Sequence, residues 1–228
     1  MYQPPPDLPD AGDDIHIDGE NLAMVSRFKY LGTTVTNDNK LDTELEIRMS
    51  NASKAFGRLR DRVWDNKDLT IKTKCAVYRA IVLSALLYGV ESWVVYKITA
   101  HKLSAFMMRH LRQILNIKWW QFISNKKILK ITSLPSMYDI LISRCLRWTG
   151  HVNRLDNTRI PKLVLYSQLT DGTRRTGRPK LRYKDIIKRN LKDRDIPVGS
   201  WQSLSRSKEG WRQLMRRRNT SSSDTMDS

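Results

Sequence analysis

The chain has 228 residues, enough for one or two domains with a sizeable core, and 40% of them are hydrophobic, which excludes a disordered composition. Its 41 Lys and Arg against 23 Asp and Glu leave a formal net charge of +18, a surplus that favours anionic partners and is silent on fold. The N-terminus shows no apolar signal core, and the longest apolar run, near Ala80–Val95, is too short and too interrupted for a membrane span.

Charge is unevenly spread. Residues 1–25 hold six acids and no Lys or Arg, while residues 160–228 hold seventeen Lys/Arg against seven acids. The basic character belongs to the body and tail. The cysteines, Cys75 and Cys145, lie in apolar, helix-like surroundings and do not make a secreted disulfide scaffold. That usage fits a reducing intracellular compartment, nuclear or cytoplasmic.

Met1 to Asp14, rich in Pro and Asp, reads as an extended lead-in. Ile15 to Glu20 alternates and then turns as a hairpin does, and Arg27 to Val35 supplies the returning strand. Gly32 there allows a bulge or a close backbone approach. Turn and cap chemistry follows at Asn37-Asp38-Asn39. A helix is then predicted from about Leu41 to Trp64, because Leu41, Leu45, Met49, Ala52, Phe56, Leu59 and Val63 recur every three or four residues. Its opposite face carries Arg48, Lys54, Arg58, Arg60 and Arg62.

Thr70 can cap a second helix to about Tyr88, apolar nearly all round and therefore buried. A third, about Ala100 to Leu115, places Leu103, Phe106, Met107, His110, Leu111 and Ile114 on one side. Trp119 and Trp120 end it, and packing is the role expected of them ahead of base stacking. Short and long helices follow near Asn125–Thr132 and from Ser136 to about Val152, the latter after Pro135. Beyond Asp156 the periodicity weakens. Thr170 to Pro179 is a Gly/Arg/Thr loop, and Leu181 to Leu191 and Trp201 to Arg218 are two further candidate helices. The fold class is mainly α with an N-terminal β-hairpin.

No catalytic or metal constellation emerges. Asp13-Asp14 follows a polar lead-in, whereas a metal-binding carboxylate pair of a polymerase sits at the turn of an apolar hairpin. His16, His101, His110 and His151 have no cysteine partner at zinc spacing. Gly172 to Arg178 lacks the Gly-Lys-Ser/Thr ending of a phosphate loop. No cofactor is expected. What remains is charge interleaved with aromatics. Leu146-Arg147-Trp148-Thr149-Gly150-His151-Val152-Asn153-Arg154 and Gly177-Arg178-Pro179-Lys180-Leu181-Arg182-Tyr183 suit a polyanion whose phosphates attract cations and whose bases offer flat faces. Arg174, Arg175, Arg178, Lys180 and Arg182 form one candidate patch; Arg48, Lys54 and Arg58, on the first helix, form another, and Arg154 is a further candidate contact. Each charge run has an ordinary alternative, a solvated surface.

These residues resemble a known family. Phe28-Lys29-Tyr30-Leu31-Gly32-Thr33 resembles the strand after the catalytic core of non-LTR retrotransposon reverse transcriptases. Ala55 to Leu59, Leu87 to Trp93, Leu111 to Ile117, Leu146 to Arg154 and Gly177-Arg178-Pro179 look, in the same order, like the later parts of the endonuclease–reverse transcriptase polyproteins. The resemblance runs from about Met1 to Arg218. It implies a primer-grip-like hairpin at 15–36, a thumb-like helical domain at 37–155 and a basic region at 156–218, while composition gives the lead-in at 1–14 and a disordered tail at 219–228. It also implies that Phe28, Lys29, Tyr30 and Gly32 approach a primer end. The family's catalytic carboxylates lie upstream and have no counterpart here, so no polymerase activity is expected of this chain. The partner implied is nucleic acid, a template–primer duplex or RNA, and not a membrane; the catalytic part of a reverse transcriptase is a further partner. A protein-interaction module and a degenerate reading frame without a selected function stay open beside this reading.

Overall fold

The computed structural model describes residues 16–21, 23, 25–37, 41–167 and 181–216. Arg174, Arg175, Arg178, Lys180, the lead-in and the tail lie outside these residues. The chain divides into two compact units, residues 1–62 with 77–88, and residues 63–76 with 89–228.

The first unit opens with two hairpins where the sequence suggests one. Strands β1 (His16–Ile17) and β2 (Glu20–Asn21) close around Asp18-Gly19, both at positive φ. Strands β3 (Arg27–Tyr30) and β4 (Thr33–Thr36) close around Leu31-Gly32, also both at positive φ (47° and 83°). Two consecutive left-handed residues make the tight turn that matches strand twist, and Gly supplies the second without strain. Gly32 is therefore a turn residue, not a bulge. The strand read as returning to Ile15 folds back on itself instead.

Helix α1 (Asp42–Arg58) follows the expected stripe, burying Leu45, Ala52 and Phe56. Its observed cap is Leu41, without a side-chain bond, and Asp42 and Glu44 complement the helix dipole. Phe56 meets the Tyr78 ring edge-on, with centroids 6.2 Å apart. Tyr78 lies in a π-helical stretch, Tyr78–Leu83, that continues α2 (Ile71–Val77) and leads into α3 (Ser84–Leu86). Val82, Leu83, Leu86 and Leu87 complete this core, while Ile81 is exposed. At the start of α2 the Thr73 N–H donates to the Thr70 hydroxyl (3.2 Å), the expected cap.

The second unit is built on α4 (Lys97–Ile114), α5 (Asn125–Thr132) and α6 (Met137–Asn153). All six apolar-face residues expected of α4 are buried. Ser136 caps α6, accepting the Asp139 N–H at 3.1 Å. His110, on α4, packs against Phe106 with ring centroids 4.3 Å apart. Burial, with Arg109 beside it, lowers its pKa from 6.5 to about 4. The unfolded chain therefore takes up this proton near 6.5 while the folded chain waits until about 4. Stability present above pH 6.5 is lost as pH falls through that window, at about 1.4 kcal/mol per pH unit. Urea unfolding at pH 7, 5.5 and 4.5 should show the decline, and His110→Gln should flatten it.

Helices α7 (Ile160–Tyr166), α8 (Tyr183–Lys192), α9 (Trp201–Leu204) and α10 (Lys208–Arg216) follow. The sequence shows no clear α7, because it leaves Ile160, Leu163 and Val164 exposed and buries Leu165. The single helix expected over Trp201 to Arg218 is two. One core joins Leu146 and Val152 of α6 to Ile187 and Leu191 of α8 and Trp211 of α10. The described parts of the basic region thus share a core with α6 rather than beginning a separate piece at residue 156.

Candidate nucleic-acid interface

The hairpin β3–β4 is tied to α1 by one buried ion pair. Glu44 and Arg48, one helical turn apart, are both buried, with Arg48 Nε 2.6 Å from Glu44 Oε1. Arg48 Nη2 donates to the Gly32 carbonyl (2.5 Å), and Glu44 Oε2 accepts the Thr34 N–H (2.8 Å). The guanidinium lies 4.6 Å from the centre of the Tyr88 ring, and the Tyr88 hydroxyl donates to the Leu31 carbonyl (3.0 Å). Arg48 is therefore a clamp on the hairpin turn. This departs from the expectation of a phosphate contact, because Arg48 is 7% exposed and its Nε and Nη2 donate inside the fold. Lys54 and Arg58 do stand exposed on α1. Phe28 and Tyr30, two residues apart, share one face of β3 and are 53% and 62% exposed; Lys29 is exposed on the other face.

In the second unit, Arg154 and Arg182 have different partners. Arg182 heads α8, where its N–H and guanidinium both engage Asp185 (2.9 and 3.3 Å). Arg154 donates to the Ser205 carbonyl (2.6 Å) and lines a cavity of about 590 Å³. This cavity gathers Arg144, Arg147 and His151 from the same helix and Lys208 and Arg212 from α10. Trp148 and Trp211 supply aromatic lining, and the Trp148 and His151 rings lie 5.3 Å apart. Glu91, the cavity's one carboxylate among the described residues, pairs with Arg144 at 3.3 Å.

The stretch from Leu146 to Arg154 thus has two faces. Leu146, Thr149, Gly150 and Val152 face the core. A Cβ on Gly150 would press on Trp211 Nε1 and stand 2.6 Å from its Cδ1, and that indole donates to the Leu146 carbonyl at 2.9 Å. Only glycine lets α10 approach α6 this closely. Arg144, Arg147, His151 and Arg154 form the other face. Their spacing of three, four and three is legible in the sequence as a cationic stripe, although only Arg154 among them is expected at the interface from sequence. Lys208 and Arg212 carry the same signal at i, i+4 on α10.

The Glu91 backbone is engaged as well. Tyr183 donates to the Glu91 carbonyl (2.7 Å) and the Cys145 thiol donates to Tyr183 (3.8 Å). Burial pushes both the thiol and the phenol up, so neither ionises near neutrality. Among the described residues no three His, Cys, Asp or Glu side chains converge as metal ligands would. The arrangement can hold an anion against aromatic surface.

No protein-family model matches the chain, and no solved structure matches it. It is similar to a Caenorhabditis elegans protein whose name describes it as uncharacterized and transposon-derived, with 24% identity over 208 residues, covering 88% of this chain and 74% of that protein. The similarity points to a transposon origin, which agrees with the retroelement resemblance of the sequence and leaves the type of element open.

Proposed function

We propose that this chain is a non-catalytic, reverse transcriptase-derived part of a retroelement protein that grips nucleic-acid backbone without reading sequence. The observation that carries the proposal is the cationic cavity. Arg147, Lys208 and Arg212 are exposed around it, and one carboxylate faces five Lys and Arg. Such a ring attracts phosphates by charge and releases their counterions, which makes binding steeply salt-dependent. Positioning contacts of this kind carry no sequence information. Exposed Lys54 and Arg58 on α1 would add a second grip on the backbone.

The test is titration of a labelled 20-base-pair duplex at several salt concentrations. Arg147→Glu with Arg212→Glu should weaken binding at least tenfold and reduce the slope of log K against log salt by about 2, roughly 0.9 for each phosphate no longer neutralised. Stability should stay within about 0.5 kcal/mol, because both side chains are exposed. Unchanged affinity and slope would remove the proposal. The exposed apolar face of α7, with Ile160, Leu163 and Val164, would then become the surface to explain and favour a protein-interaction module.

A further inference from the structure

The largest exposed apolar side chains of the second unit sit together on the loop between α4 and α5. Trp119 is 82% exposed, Trp120 57% and Phe122 86%. The sequence expectation that the two tryptophans pack into the core is therefore not met. Exposure of one aromatic is ordinary, but three within four residues form a patch that needs a reason.

The loop is not loose backbone that happens to carry rings. Helix α4 ends with left-handed Asn116 (φ 51°), whose N–H bonds Gln113, while the Ile117 N–H bonds Arg112 (3.0 and 2.9 Å). The next turn, Trp119–Gln121, is boxed: the Lys118 N–H donates to Gln121 Oε1 (2.8 Å) and the Gln121 N–H to the Lys118 carbonyl (3.1 Å). Arg112 then reaches across to the Ile123 carbonyl (3.2 Å) and Asn125 Oδ1 (2.8 Å). Ser124 caps α5 by accepting the Lys127 N–H. Polar residues fix the backbone at both ends, and the aromatic side chains are left outside.

We infer that this loop is a base-stacking platform for single-stranded nucleic acid. The inference rests on the nucleic-acid reading above and adds a second site with a different specificity. Three features select that occupant. The Trp119 and Trp120 rings lie 5.7 Å apart at 86°, so they offer flat faces in two directions, as splayed bases require. Exposed Lys118, Lys126 and Lys127 flank the rings, and no acid occurs between Glu91 and Asp139 while eight Lys and Arg do. That field draws a polyanion to the aromatic faces. A duplex keeps its base faces inside the stack, so only unpaired bases can use the rings. The cavity on α6 and α10 holds phosphates of either form; the loop discriminates between them.

The experiment compares labelled dT15 with a blunt 15-base-pair duplex, using the full chain. Trp119→Ala and Phe122→Ala should each weaken dT15 binding about tenfold, the loss of one stacked base, and leave duplex binding within about twofold. Trp119→Phe should retain most of the dT15 affinity, because it keeps a ring face. Unfolding midpoints should not move, since these side chains are exposed. Equal loss on both oligonucleotides, or none on dT15 while Arg147→Glu/Arg212→Glu still weakens the duplex, would overturn the stacking platform and leave the proposed function standing. A wild-type chain that binds neither oligonucleotide would overturn both. Loss confined to phosphatidylserine vesicles would reassign the patch to a lipid surface and refute the inference.

Discussion

Gly150→Ala is expected to lower the unfolding free energy by about 3–5 kcal/mol, measured by urea denaturation. The added methyl would press on Trp211 Nε1 and stand 2.6 Å from Cδ1, closer than non-bonded carbons approach. The indole cannot swing aside. It is 1% exposed, packed near Trp201 with ring centroids 6.5 Å apart, and hydrogen-bonded to the Leu146 carbonyl. Overpacking costs about 1–3 kcal/mol, and a buried donor and acceptor left unpaired add about 1–3. A second variant separates this cause from a general weakness of α6. Trp211→Ala alone should cost about 3–5 kcal/mol through the cavity it leaves. In that background Gly150→Ala should become neutral or stabilising by up to about 1 kcal/mol, because only the helix preference for alanine over glycine remains. A penalty of the same size in both backgrounds would show that Trp211 is not what Gly150 accommodates.

Arg48→Ala is expected to cost about 3–5 kcal/mol in the first unit. It would leave Glu44, 3% exposed, buried without its counter-charge. It would also release the Gly32 carbonyl and the Tyr88 ring from the guanidinium. Hydrogen exchange at Thr33–Thr36 should accelerate, since the Glu44 carboxylate that holds the Thr34 N–H would be free to reorient. Replacing both partners by apolar residues of similar volume, Arg48→Met with Glu44→Leu, should recover part of the loss. Lys54→Glu and Arg58→Glu, on the exposed face of the same helix, should leave stability within about 0.5 kcal/mol. If Arg48→Ala matched them in stability and weakened nucleic-acid binding instead, Arg48 would touch the ligand and the clamp would be wrong.

The helices are largely legible in the sequence because their signals are local. The stripe from Leu45 to Phe56 and that from Leu103 to Ile114 each lie within one element and recur at the helical period. The caps at Thr70 and Ser136 are equally local. Arg48 is not legible, because Arg48, Lys54 and Arg58 look alike along α1. What separates them is a hairpin turn sixteen residues upstream that docks on one of the three. Trp119 and Trp120 escape the sequence for the opposite reason. Aromatics are usually core, and only the bonded backbone of their loop turns them outward.

The sequence by itself determined the helical class, the positions of the long helices and the surplus of positive charge, all of which follow from composition and short-range periodicity. Tertiary structure decided which cations face solvent and which are spent on packing. It split the basic-aromatic stretch at Leu146–Arg154 into a core face closed by Gly150 and Trp211 and a solvent face of Arg147, His151 and Arg154. The physical reason is range: a helix stripe is set by neighbours three and four residues away, whereas Trp211 meets Gly150 and Leu146 from more than sixty residues along the chain.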